Sequence, residues 1–181
     1  MNGKLRVAGI LLASCLVVVL AKNLFYPYGI RTCRLPCMLS ALRSYAQDND
    51  GDFPGGENSL QALSLIYPDY MKHVQHLAGI SGDEKLAERL MASGRKLDSV
   101  SSSWIYHLGL RSDDLPNIAI IWESREGLGF NGKRAAGHAV GFVDGSMRQI
   151  HSSKWGAFCE EQQILRSEVL KSRMKATPPK P

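Results

Sequence analysis

The sequence predicts an α+β fold in which an N-terminal transmembrane helix and a following helix pack on a small antiparallel β-sheet. Three observations predict it. The run from Val7 to Ala21 carries no charge; Met38, Leu39, Leu42 and Tyr45 recur at three- and four-residue steps; and from Ser101 onward the chain turns β-branched and aromatic and reaches an Asp144-Gly145 hairpin signal. A chain of 181 residues with 44% apolar content suits one globular domain with an appendage. The expected partition is a membrane anchor at 1–25, a linker at 26–36, an α+β domain at 37–155, and a C-terminal helix with a flexible tail at 156–181.

The uncharged core "VAGILLASCLVVVLA" reaches only about 22 Å as a helix, short of the ~30 Å hydrocarbon layer. Arg6 and Lys22 can snorkel and Leu24, Phe25, Tyr26 and Tyr28 add apolar and interfacial groups, so a span from Leu5 to Phe25 of about 31 Å suffices. The favoured reading is an uncleaved single-pass anchor. A cleaved secretory signal competes, with its small-residue pattern poorly placed before Lys22. So does a lipoprotein signal, since "LASC" ends in Cys15, a candidate lipidation site, although "LVVVLA" follows where such proteins turn polar. Basic residues flank the run on both sides, which leaves orientation open.

Beyond the anchor, Pro27 and Gly29 in "YPYGI" interrupt any continuous helix. Cys37 to Gln47 is the next helix, with Pro36 in its first turn and "DNDGDFPGG" as its stop. Asp48, Asp50 and Asp52 occupy the first, third and fifth positions of a calcium loop, but Phe53 and Ser59 stand where glycine and glutamate belong, so a solvated turn is expected. A short helix starts near Ser59, capped by Asn58 or Ser59 and stopped before Pro68. Ser81 and Glu84 have capping-box spacing ahead of "KLAERLMASG", which Gly94 ends. His73 and His76 share a helical spacing without a third metal ligand and are read as exposed polar residues.

"SSSWIYHLGL", "NIAIIWES" and the two arms of "GHAVGFVDGSMRQI" are four strands of an antiparallel sheet. A two-residue type I′ turn at Asp144 and Gly145 sets Phe142 opposite Met147 and Val140 opposite Gln149, placing Val140, Phe142 and Met147 on one face. Those two turn residues have a structural role, and the turn already explains Asp144 without a catalytic or metal pairing to His138. "EEQQILRSEVLKSRMKA" forms a last helix.

Little in the sequence points to chemistry. Cys33 and Cys37 have three residues between them instead of two, Cys159 stands alone, and no stretch assembles a nucleophile, a base and an orienting group. The glycines between 127 and 137 neither follow a strand nor open a helix, which excludes a phosphate-binding loop. A charge of +5, spread along the chain and concentrated at its ends, argues against a nucleic-acid partner. No catalytic, cofactor-binding or metal residue is expected, and no cofactor.

"LRSYAQDNDGDFP" at 42–54, "SLIYPDYM" at 64–71 and "VGFVDGSMRQI" at 140–150, in that order, resemble the type II secretion pseudopilins and the wider group of prepilin-like bacterial proteins. The resemblance covers about a third of the chain beyond the anchor. It implies a long N-terminal helix, half in the inner membrane and half packed on a sheet, with the C-terminal domain outside the cytoplasm. It also implies a non-enzymatic role through contacts with the bilayer and with other envelope or secretion-system proteins. The sequence departs from the family where Gly9 is followed by "ILLASC" with Ser14 in place of a glutamate, and where Ala135 stands in place of a histidine. A mature protein that keeps Met1 or Asn2 and stays out of a fibre follows from those departures. The rivals are an envelope-anchored module binding a ligand or polymer through Trp104, Tyr106, Trp122 and Trp155, and an enzyme pairing Cys33, Cys37 or Cys159 with a histidine.

Overall fold

The computed structural model describes residues 14–21, 34–127 and 135–176, without the side chains of 174–176. Its elements are α1 (Arg34–Asp48), α2 (Ser59–Leu63) running into a 3-10 turn at Ser64–Ile66, α3 (Val74–Ala78) and α4 (Glu84–Ala92). Then come β1 (Trp104–Tyr106), β2 (Ala119–Glu123), β3 (His138–Phe142), β4 (Met147–Ile150) and α5 (Trp155–Ala176). The four strands form one antiparallel sheet in the order β1-β2-β3-β4. The α+β expectation and the four strands are as read from the sequence.

The transmembrane helix is not. Among the described residues no helix is long and apolar enough to cross a membrane. Of the expected span, residues 14–21 are helical. Positions 5–13 and 22–25 lie outside the described residues. The 22-residue α5 is long enough, but Glu160, Glu161, Arg166, Glu168, Lys171 and Arg173 run through it. The single-pass inner-membrane localisation rested on that helix and is corrected with it.

Helix α1 begins at Arg34, inside the expected linker, and Pro36 sits in its first turn where the missing amide is harmless. It buries Leu35, Met38, Leu39, Ala41, Leu42 and Ala46, the stripe its periodicity announces. Asn58 caps α2 by accepting from the Gln61 N–H at 3.0 Å. Asp83, not Ser81, caps α4 by accepting from Leu86 N–H at 2.9 Å. An aspartate next to the first helical residue reaches the free amides more directly than a serine two residues further out.

Helices cover the sheet on both sides. On one side α1 lies against β3, and Leu39, Met38 and Leu42 meet Tyr106, Ile121 and Ala139 in the larger core. On the other, Ala119, Val140 and Phe142 pack under Trp155 and Phe158 of α5. Burial on both faces accounts for the near-continuous apolar run Ile118–Ile121. An irregularity between Ala119 and Ile121, opposite Phe142 and Gly141, inserts Ile120 as an extra residue. Ile120 and Ile121 are both fully buried in the larger core, while Ala119 faces α5.

Candidate functional site

The Asp144-Gly145 hairpin is the feature that the sequence marks most clearly, and the structure changes its register. Gly145 N–H donates to Phe142 O at 2.9 Å and Phe142 N–H to Ser146 O at 3.0 Å, enclosing a three-residue loop of Val143, Asp144 and Gly145. This is a type I turn followed by a left-handed glycine, and Gly145 alone has positive φ, at 84°. Asp144 does not need it, because its carboxylate accepts from Ser146 N–H at 2.8 Å and closes the loop from the side. One extra loop residue moves every pair by one: Gly141 faces Met147 and Val140 faces Arg148. Met147 therefore lies with Ala139 on the α1 face, while Val140 and Phe142 lie on the α5 face.

The hairpin is pressed against α1. A Cβ built on Gly141 would stand 2.7 Å from a Leu39 methyl, so the missing side chain lets helix and strand approach. Arg43 donates to Asp144 O at 3.0 Å and ties the turn to the same helix.

His138 and Asp144 do not meet, since they stand at opposite ends of the β3–turn segment. His138 Nδ1 contacts Glu123 O at 3.2 Å, and its ring stacks on Trp155 at 3.9 Å. His107 lies edge-on to Trp122 at 4.7 Å, and Trp122 edge-on to Trp155 at 5.8 Å. Two indoles thus separate the two histidines, and no carboxylate joins them. Burial, then the Arg166 charge, lowers the His107 pKa to about 4, leaving its imidazole neutral near pH 7. Trp104 and Tyr106 are 3% and 2% exposed, so neither presents a ring to a polymer. Trp104 Nε1 donates to His76 O at 2.7 Å and Tyr106 Oη to Pro54 O at 2.8 Å.

A buried carboxylate escaped the sequence reading. Glu123 is 4% exposed; its Oε1 accepts from Ile80 N–H at 2.5 Å and its Oε2 from Ser103 Oγ at 2.6 Å. Gly79, at φ 72°, makes room, because a Cβ there would lie 2.6 Å from that Oε1. Burial raises the Glu123 pKa, against the pull of these two donors. The group ties the loop after α3 to the central strands. Only the polar residue ending "AIIWE" hinted at it, since its partners lie 20 and 43 residues away.

The acidic loop is likewise held by protein groups. Arg111 donates to Asp52 at 2.5 Å, to Asp113 at 3.1 Å and to Asp50 O at 2.6 Å, while Asp48 accepts from Tyr70 Oη at 3.1 Å. The Asp48 and Asp52 carboxylates point to different partners, and Asp50 is held through its backbone carbonyl. No group of three His, Cys, Asp or Glu among the described residues could hold a metal. His73 and His76 rings meet edge-on at 5.9 Å, and His76 is half-buried instead of exposed. Cys15 is exposed in the helical stretch 14–21; Cys33 lies outside the described residues; Cys159 is half-buried on α5, and burial raises its pKa.

These features define an α+β domain built on an antiparallel four-stranded meander between helices, with Glu123, His138 and the arginine beside the acidic loop engaged in internal ties. Comparison with protein-family models, curated proteins and solved structures finds no match to this chain.

Proposed function

We propose that this chain is a diverged, pseudopilin-like protein that acts without catalysis, through contacts with other proteins, in the manner of a secretion or pilus-like assembly component. The observation carrying the reading is the seat of α1 on β3, with Leu39 over Gly141 and the Asp144-Gly145 hairpin tied to Arg43. A helix laid on a meander that ends in this hairpin is the arrangement that the resemblance implies. The internal use of Glu123, His138 and the acidic loop also favours a role for the surface over chemistry at a cleft.

Photo-crosslinking in cells that make the protein, from exposed positions Ser40, Arg43 and Arg148 one at a time, tests it. The expected result is a discrete adduct with an envelope or secretion-system protein from at least one position. No protein adduct from any of them, or a chemical turnover lost in Glu123→Gln or His138→Gln, overturns it.

A further inference from the structure

We propose that the groove along the free edge of β1 takes up a short, extended, uncharged segment of a partner protein, rich in threonine or serine, as an added strand. This deepens the protein-contact reading and rests on it.

Strand β1 ends the sheet on the side away from β4. Ser124 N–H donates to Ser103 O and His107 N–H to Ile120 O, both at 2.9 Å, so by antiparallel alternation Ile105 between them also bonds to β2. The N–H and C=O of Trp104 and Tyr106 are then directed away from β2. Trp104 N–H reaches Ser102 Oγ at 3.5 Å, while Tyr106 N–H meets no acceptor among the described residues. Both residues line a groove of about 400 Å³ and are only 3% and 2% exposed, so these main-chain groups lie at its floor. A buried main-chain amide without a partner is costly, and an extended peptide supplies the acceptor and donor it lacks.

The walls of the groove set the kind of segment. Ser59 of α2, Ser81, Ser99 and Ser124 contribute hydroxyls that form no hydrogen bond among the described residues, and no charged side chain lines the groove. Glu123 lies behind it, its carboxylate already taken by Ser103 Oγ and Ile80 N–H. A charged side chain would lose hydration there without a counter-charge, whereas threonine and serine hydroxyls both donate to and accept from the wall serines. Threonine also favours the extended backbone. The rings of Trp104 and Tyr106 belong to the larger core, so a sugar finds no face to stack on. Ser103 N–H donating to Ala78 O at 2.9 Å closes one end of the free edge, and Phe53 N–H donating to Leu110 O at 3.3 Å closes the other. An edge recessed between such flanks suits one slender segment and not the edge of a second folded copy.

The test titrates the full chain with a capped peptide of five threonines, with its N-methylated counterpart, and with versions carrying lysine or glutamate at alternate positions, while following amide resonances. The all-threonine peptide should move the Tyr106 amide proton downfield and slow its exchange with solvent. N-methylation removes the peptide's donors, and Ser99→Phe fills the groove from an exposed position; each should weaken binding about tenfold or more, as should the charged versions. Ser81→Phe, also at an exposed position, keeps the test decisive if Ser99→Phe does not fold. Binding unchanged by N-methylation or in a folded phenylalanine variant, or no change at the Tyr106 amide, overturns the site. Equal binding of a charged version overturns the uncharged class. Maltotriose shifting that amide where the peptide does not would make a sugar the occupant, and self-association lost in Ser99→Phe would make it a second copy; either overturns the partner named here. Crosslinked adducts without peptide binding would sink the groove alone and leave the protein-contact reading standing; absence of any adduct would sink that reading, and the groove with it.

Discussion

Glu123 and His107 respond to pH in opposite directions. The Glu123 pKa is raised, so its contribution to stability is complete below the ordinary carboxylate value and is lost as pH rises through the folded value. The His107 pKa is lowered from 6.5 to about 4, so its contribution is complete above 6.5 and is lost as pH falls through that window. The two partly cancel in the wild type, and single variants should unmask each. Urea midpoints across pH 4 to 7 should climb more steeply with pH in Glu123→Gln and fall with pH in His107→Phe; parallel curves for the two variants would contradict the assignment. At pH 7 Glu123→Gln should cost about 1 kcal/mol or less because an acceptor for Ile80 N–H remains, whereas Glu123→Leu strands that amide at about 1–3 kcal/mol.

At the scale of elements, the seat of α1 on β3 is the most exacting contact. Gly141→Ala drives a methyl into Leu39 and should destabilise by about 1–3 kcal/mol. Leu39→Ala in the same chain should recover part of that loss, and additive thermal shifts in the double variant would show that the two do not touch. The hairpin turn makes a different demand. Gly145→Val should cost on the order of 1–3 kcal/mol because a β-branched residue must adopt positive φ, while exposed Ser146 accepts valine with little loss. Helix α5 is fastened by Gln162, 4% exposed, whose Oε1 accepts from Ala119 N–H at 2.7 Å and whose Nε2 donates to Asn117 O at 3.2 Å. Gln162→Leu should therefore cost about 1–3 kcal/mol in chemical denaturation, mainly for the orphaned Ala119 amide.

Over the whole molecule, α5 serves as the second wall of the core. A chain ending at Lys154 would lose Trp155 and Phe158 and uncover Val140 and Phe142, whose full burial is worth ~1.5–3 kcal/mol each against a typical total stability of about 5–15 kcal/mol. The shortened chain should bind a hydrophobic dye and lose its cooperative thermal transition; a sharp transition without dye binding would mean that the four-stranded sheet stands on α1 alone.

Sequence by itself determined the local elements, because their signals act within a few residues. The stripe Met38–Leu39–Leu42–Tyr45, Asn58 ahead of Ser59, and the β-branched runs after Ser101 all become the elements they announce. It also determined that a turn falls at Asp144-Gly145. Tertiary structure decided the rest. A two-residue and a three-residue loop share the same Asp-Gly pair, and only the packing of Met147 toward α1 and Phe142 toward α5 selects the register that puts each on its face. Glu123 could not be told from a solvated strand end, because Ser103 and Ile80 reach it only after the sheet and the α3 loop are assembled. The uncharged run at 7–21 shows the reverse error. Composition permits a membrane span, but a span also needs a continuous helix of sufficient length, and among the described residues no helix is long and apolar enough to cross a membrane.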